Sequence, residues 1–398
     1  MKLLYLIADG MGGWPLDELD GRTTMEAAVT PNMDELAATG AVGLAQTVPE
    51  GMAPGSDVAN MALLGFDPAT YHTGRGPIEA AAQGLSLGPD DLVWRLNLVT
   101  VSKLAIDGIM RDYSSGHIAS EVSRPLVERL QEKLGNETYA FYPGIQYRHL
   151  LVQRDGALTD DARLFINPPH DITDKPIKQD LRAFSRSPQL WDLLFEARDL
   201  LADRTLNRSA ANSIWPWGQG RPLSLPDFKA TNGLDGAVIS AVDLIKGLGF
   251  ASNMAVIDVP GATGLLDTNY EGKVAAALKF LEDHDFVFVH LEGPDECGHG
   301  GSAKDKVEAI SRFDARIVAP LRAALKNVET AWIVTCDHFT PIREKTHTSD
   351  PVPFLLNGPG CAPSGVDGFS EKNAATSGLK LDRGHELLAH ALKTFGIR

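Results

Sequence analysis

Cysteine is scarce in this chain: three thiols, Cys297, Cys336 and Cys361, among 398 residues. Three cannot make a paired framework, so a reducing compartment and a fold held by its core are expected. Basic residues are outnumbered, 37 Lys and Arg against 52 Asp and Glu, for a formal net charge of -15. No Lys/Arg run is present that could track a phosphate backbone, which argues against a nucleic-acid partner. Long apolar runs are missing as well. The run Leu3–Ala8 is far shorter than a membrane span and leads straight into Asp9 without a small-residue cleavage site, so no membrane partner and a cytoplasmic location are expected. The absence of a GxxxxGK[ST] segment disfavours a P-loop kinase and nothing broader. No repeat or low-complexity tract is found. What is present is an apolar share of 43%, enough to fill the cores of two domains at this length.

The apolar runs are short, and several end in chemistry. Thr330–Val334 reads as a buried parallel strand delivering Asp337 and His338 at its carboxyl end, where open α/β sheets bind ligands. The same grammar recurs at Leu3–Ala8 before Asp9-Gly10, at Phe286–Leu291 before Asp295 and His299, and at Met254–Ile257 before Asp258. With His347, the set Asp9, Asp295, His299, Asp337 and His338 offers three carboxylates and three imidazoles. That is enough for two divalent cations if strand order gathers them. Asp295 and His299 stand four apart and face one centre if the segment makes a helical turn. Mixed oxygen and nitrogen ligation favours Mn, Zn, Fe or Mg-like ions, and Cys297 and Cys336 read as packing residues.

A helix beginning at Ser56 or Asp57 is expected to run to about Leu64 and stop at Gly65. Two readings compete for Ser56. As an N-cap it contributes ~1 kcal/mol to the helix; as a functional hydroxyl it lies where free amides and the helix dipole favour a phosphate or an alkoxide.

The texture changes over residues 71–226, an expected inserted α+β domain between two parts, 1–70 and 227–398, of one α/β domain. Leu92–Val99 alternates like a half-buried strand; Thr138–Tyr142, Tyr147–Gln153 and Arg163–Ile166 are further strand candidates, with helices at Ser120–Leu134 and about Pro188–Asn207. Trp215–Gly220 reads as a rigid turn-rich segment. Arg75, Arg95, Arg111, Arg148 and Arg208, beside His117, His149 and Asn212, form a collection of donors suited to clamping a phosphate or carboxylate. Past Pro226, Val238–Leu248 reads as helix, Asn253–Ile257 as strand, Lys273–Asp283 and Ala303–Ala324 as helices, Pro351–Asn357 as strand and Glu386–Phe395 as a last helix. Strands followed by helices of this length imply crossovers and a mainly parallel sheet flanked by helices.

Ala8-Asp9-Gly10, Gly55-Ser56-Asp57-Val58-Ala59-Asn60, Gly74-Arg75-Gly76-Pro77, Asp295 with His299, Asp337-His338 and His347-Thr348-Ser349-Asp350-Pro351 together resemble the archaeal-type cofactor-independent phosphoglycerate mutases, a branch also found in bacteria, of the alkaline phosphatase superfamily. The resemblance covers almost the whole chain. It implies an alkaline-phosphatase-like core interrupted by an inserted substrate-binding domain that closes over the substrate. It also implies transfer of a phosphoryl group between the 3- and 2-hydroxyls of D-glycerate through phosphoserine at Ser56. By the same resemblance Asp9, Ser56, Asp337 and His338 hold one metal, and Asp295, His299 and His347 the other. Mn is the expected ion, with Zn, Mg or Co as alternatives, and no 2,3-bisphosphoglycerate is required. The partner is a small phosphorylated carboxylate, and a monomer is expected. Two departures stand out: Gly300-Gly301 where Asp-Gly usually follows the Gly-His pair, and Phe339 in place of serine in Asp-His-Ser-Thr-Pro. Alternatives are a homoserine kinase-like phosphotransferase, a metal-dependent phosphomonoesterase, and a metal-stabilised binding protein.

Overall fold

The computed structural model describes residues 1–397, and the chain divides into two compact units, 1–72 with the chain from 224 on, and 73–223. In chain order the first unit contributes β1 (Lys2–Ala8) and β2 (Ala41–Ala45). The second unit follows with β3 (Leu92–Val101), β4 (Met110–Asp112), β5 (Tyr139–Ile145), β6 (Arg148–Gln153) and β7 (Ser213–Gly220). The first unit resumes with β8 (Gly236–Ile239), β9 (Ala255–Ile257), β10 (Phe286–Leu291), β11 (Thr330–Thr335), β12 (Val352–Asn357) and β13 (Lys380–Leu381).

The first unit holds an eight-stranded sheet in the order β13-β2-β12-β11-β1-β10-β8-β9. All its pairings are parallel except those of β12, which runs against both β11 and β2. The three central strands β11, β1 and β10 are buried almost throughout. Such strands read as continuous apolar runs because helices cover both faces of a parallel sheet. Their register sets which residues emerge together at the strand ends. Ile7 lies between His290 and Thr335, so Asp9 and Asp337, two residues further along their strands' direction, emerge at the same end of the sheet.

Two readings of this unit are corrected. Val238–Leu248 is not one helix: β8 occupies Gly236–Ile239 and a helix starts only at Asp243. The apolar residues Ala237, Val238 and Ile239 are fully buried against β10, and a short buried run has no periodicity to separate strand from helix. Ala303–Ala324 is helical, but a π-turn at Asp314–Val318 divides it.

The second unit is an antiparallel sheet, β4-β3-β6-β5 with β7 on the other side of β3, backed by the helices Ser120–Leu134 and Pro188–Leu201. The latter stops at Leu201, short of the expected Asn207. β3 is buried on both faces, not one. Trp94, Leu96 and Leu98 join the main core with Trp215, Phe184 and Leu194, while Val93 packs with Ala80 from a helix over Arg75–Ala82. That helix lies close because a Cβ on Gly76 would meet the Val93 carbonyl at 2.7 Å. Trp215–Gly220 is strand rather than turn. Among the described residues β7 pairs only with β3, so Pro216 costs no ladder hydrogen bond on its open side. Arg163–Ile166 is irregular instead of strand: Asp160–Arg163 is a 3-10 turn, held by the buried Asp161 carboxylate, which accepts from Gln153 and Ser187. Trp215 is fully buried, 5.4 Å edge-on to Phe184, and donates its Nε1–H to the Asn167 carbonyl. Trp215→Ala should cost the second unit about 3–5 kcal/mol, read as a lower urea midpoint for that unit's transition.

Candidate functional site

Asp9 directly follows β1, its amide donating to the Leu291 carbonyl at the end of β10. Gly10 follows with φ +61, and a Cβ there would lie 2.7 Å from an Asp295 oxygen, so only glycine lets the loop pass this close. Asp337 follows β11. Its Oδ1 accepts the amides of Gly10 and His338 at 3.0 and 2.9 Å, and its Oδ2 accepts from Asn60 Nδ2 at 2.7 Å. Asp295 and His299 are on a helix over Gly293–Gly300, one turn apart, and His347 arrives from the loop after β11.

These residues meet. His338 Nε2 lies 3.1 Å from Ser56 Oγ, 3.4 Å from Asp337 Oδ2 and 3.5 Å from Asp9 Oδ1. His299 Nε2 lies 3.2 Å from Asp295 Oδ2 and 2.9 Å from His347 Nε2, which is 3.5 Å from Asp295 Oδ1. His338 sits on the border, since ligand atoms of Asp295, His338 and His347 also fall within 4.8 Å of one another. Its shortest contacts nevertheless belong to the set with Asp9, Ser56 and Asp337.

Ser56 is the first residue of a helix over Ser56–Leu63 whose N-cap is Gly55, and its side chain makes no cap hydrogen bond. The N-cap reading is therefore overturned: the hydroxyl faces His338 instead.

The donor pattern fits divalent cations. His299 Nδ1 lies 2.9 Å from the Lys345 carbonyl, which can only accept, so the ring's Nδ1 carries a proton. Neutral His299 then turns a lone pair toward both Asp295 and His347, an arrangement that needs positive charge between the three. A proton on Nε2 answers it in part, and Asp295 pulls His299 up to about 9 although burial lowers it. A cation answers it for all three. Likewise Thr340 donates to Asp295 and faces His338 Nδ1 at 3.3 Å, leaving His338 Nε2 free toward Asp9, Asp337 and Ser56. Burial, followed by the charges of Asp337 and Asp295, pushes the Asp9 carboxyl well above its ordinary range. Asp9 Oδ1 is a buried oxygen without a hydrogen-bond partner. Three buried carboxylates and three imidazoles, all oxygen and nitrogen, suit divalent ions better than a thiolate site would. Cys336 is buried and its thiol is held protonated by that burial, with a pKa raised well above the ordinary range.

One buried residue of this site escaped the sequence reading. His290, inside β10, has Nε2 3.0 Å from Asp9 Oδ2, and Asp9, His290 and Asp337 form a second group with ligand atoms within 4.8 Å. Its signal was available: a single imidazole in the otherwise apolar Phe286–Leu291, five residues before Asp295.

In the second unit the donors sort differently. Arg95 is buried, with Nε 3.1 Å from Glu79 and its guanidinium 4.8 Å over the Trp217 ring. Burial lowers its pKa to about 10. Arg75 approaches the same Glu79 at 3.7 Å. Trp217, His170, Tyr113, His117 and Tyr147 follow edge to face, ending with Arg148 5.5 Å over Tyr147. Arg111 is exposed and lies 3.4 Å from Asp174; Arg208 is exposed. Asn212 spends its amide on the backbone of Val101, at 2.8 and 2.7 Å. His149 is buried and its Nδ1 accepts the Gly144 amide.

Such an arrangement places the chain among α/β proteins that set a serine hydroxyl inside a cation-binding cluster at the carboxyl ends of parallel strands. Residues 37–207 match the family model for 2,3-bisphosphoglycerate-independent phosphoglycerate mutase. A relative of that name from Methanothrix thermoacetophila is 46% identical over 400 residues, and one named probable from Geobacter sulfurreducens is 44% identical over 397, each alignment covering 98% of both chains. Among solved structures, a protein of Pyrococcus horikoshii superposes with a TM-score of 0.82 at 28% identity, covering 100% of this chain and 98% of that one. The cofactor-independent phosphoglycerate mutase of Thermoplasma acidophilum gives 0.65 at 26%, covering 99% of each. The chain belongs to the 2,3-bisphosphoglycerate-independent phosphoglycerate mutase family.

Proposed function

We propose that this enzyme interconverts 3-phosphoglycerate and 2-phosphoglycerate through a phosphoserine at Ser56. The observation that carries the reading is the Ser56 hydroxyl, free of any capping role and 3.1 Å from His338 Nε2 within a ring of buried carboxylates. Ser56 Oγ attacks phosphorus as the bond to the 3-oxygen breaks. The 2-oxygen of the retained glycerate then attacks the phosphoserine, and Ser56 is restored. Phosphoryl group and proton exchange places on one molecule, so no water is consumed and no phosphate released. Asp9, Ser56, Asp337 and His338 hold one divalent ion and Asp295, His299 and His347 the other, with Mn as the favoured ion. Bound there, the ions neutralise phosphoryl charge and favour the serine alkoxide. The helix start at Ser56 adds amide donors and the positive end of the dipole.

The unit 1–72 with 224 onward carries this chemistry, and the unit 73–223 binds the substrate. Arg75, Arg95 and Arg148, with His117, suit the carboxylate and the phosphoryl group; Arg111 and Arg208 add exposed charge. The activity belongs to glycolysis and gluconeogenesis and needs no 2,3-bisphosphoglycerate. Among the described residues no helix is long and apolar enough to cross a membrane, which is compatible with a cytoplasmic enzyme. Metal-loaded protein given 3-phosphoglycerate should form 2-phosphoglycerate without matching release of phosphate. Phosphate alone would make it a phosphomonoesterase, and ADP from ATP plus homoserine, with no 2-phosphoglycerate, a kinase.

A further inference from the structure

The turn that follows Asp9 is Gly10-Met11-Gly12-Gly13, three glycines in four residues. A segment so rich in glycine has wide conformational freedom and does not hold Asp9 in place by its own geometry. Hydrogen bonds from elsewhere do. The Gly12–Gly13 peptide unit is gripped at both of its polar atoms: Lys306 Nζ donates to the Gly12 carbonyl at 2.9 Å, and the Gly13 amide donates to Glu371 Oε1 at 3.0 Å. Glu371 Oε2 accepts the Thr23 hydroxyl at 2.7 Å, so both oxygens of that carboxylate are engaged. Lys306 also donates to the Thr340 carbonyl at 2.8 Å, and the Thr340 amide reaches the same Gly12 oxygen at 3.3 Å. One ammonium thus ties the turn after β1 to the turn after β11. Thr340 in its turn donates its hydroxyl to Asp295, and Thr348, next to His347, donates its amide to the Phe339 carbonyl at 3.0 Å. The Phe339 ring packs so closely here that a Cβ on Gly12 would lie 2.1 Å from it. Lys306 stands on a helix over Ala303–Phe313 and is 0% exposed, and lysine is almost never fully buried without partners of this kind.

We infer that Lys306 and Glu371 are positioning residues: together they fix the Gly12–Gly13 peptide unit, and through it they set Asp9 at the cation shared with Ser56, Asp337 and His338. This rests on the two-cation reading of the site. The rival is a pair that stabilises the fold and nothing more. Direct contact of Lys306 with substrate is not open, because the residue is enclosed and its Nζ is committed to two carbonyls. What separates positioning from plain stability is the effect on Asp9, which a looser Gly12–Gly13 unit would let drift even in a chain that stays folded.

The test uses the full chain with Lys306→Met, Glu371→Leu and Glu371→Gln, the last keeping an acceptor oxygen for Gly13. The first readout needs no metal. In 15N-glycine spectra the Gly13 amide should exchange slowly in the unsubstituted protein and about 10-fold faster or more in Lys306→Met and Glu371→Leu, as a local opening does when its hydrogen bonds are removed. The second is Mn titration with elemental analysis. Of two equivalents, one should weaken about 10- to 100-fold in those two variants, the range seen when support behind a metal ligand is lost, and the other should be unchanged. At saturating Mn, kcat should fall by up to about 100-fold, the scale of a 1 Å misplacement, while KM for 3-phosphoglycerate holds. Glu371→Gln should recover most of each loss. A lower melting temperature with Gly13 exchange, Mn affinity and kcat all unchanged would overturn the proposal and leave the pair a structural one. If Lys306→Met does not fold, the Glu371 variants decide alone, since they act on the same peptide unit; no effect of Glu371→Leu on Mn or kcat would then overturn it. No Mn bound by the unsubstituted protein would overturn the two-cation reading itself, and the positioning role with it.

Discussion

Ser56→Ala should abolish phosphoryl transfer while leaving a folded protein, with turnover down ~10⁴-fold or more, the scale at which removing a nucleophile acts. Stability should hardly move. Gly55, not Ser56, is the N-cap of the helix and the Ser56 side chain makes no cap bond, so even the ~1 kcal/mol of a lost cap is not at stake. Ser56→Asn separates the readings most sharply, because asparagine is as good a cap as serine but cannot carry a phosphoryl group. Both variants should be inactive and melt with the unsubstituted protein. Acid quench after brief exposure to 3-phosphoglycerate, followed by peptide mass spectrometry, should find phosphate on Ser56, forming and decaying as fast as turnover. Normal turnover by Ser56→Asn would remove the covalent step.

Asp337→Asn should be nearly as damaging, through the metal. One substitution takes a negative charge from the set with Asp9, Ser56 and His338, leaving Asp295, His299 and His347 intact. Bound Mn should fall from two equivalents to one, and activity with it. Metal-free stability should change little, because opposing effects meet at this residue. Burial and the charges of Asp337 and Asp295 hold Asp9 above its usual range, whereas for Asp337 burial is outweighed by His338 and His290, which hold it low. An acid with a raised folded pKa loses stability as pH climbs past its ordinary value; one with a lowered pKa gains stability over the corresponding window. Removing the Asp337 charge relieves the first and forfeits the second. A site filled at about 100 times its Kd stabilises by about 2.7 kcal/mol, so the melting rise on adding Mn should shrink by roughly one site. Unchanged stoichiometry with full activity would take Asp337 out of the centre.

Much of the candidate cluster was legible because apolar strands announce their ends. β1, β10 and β11 are runs of buried residues that stop at or just before Asp9, Asp295 and Asp337. The helix bearing Asp295 and His299 could be read from their spacing of four. Short runs without a period were less legible: β8 was absorbed into a helix and β7 into a turn, since neither Gly236–Ile239 nor a Trp-Pro-Trp-Gly stretch carries a signal of its pairing partner.

By itself, then, the sequence determined which residue types stand at the ends of which strands, and hence the chemistry on offer. Only the tertiary structure decided their use. The β11-β1-β10 register brought Asp9, His290 and Asp337 to one end of the sheet, a relation between residues up to 328 positions apart that no local pattern encodes. Chain packing turned the Ser56 hydroxyl to His338 rather than to its own helix. Hydrogen bonding assigned Asn212 to the Val101 backbone while joining Arg75 and Arg95 at Glu79. The physical reason is common to all three: a side chain's type is fixed locally, but its partner is fixed by strand pairing and burial across the whole chain.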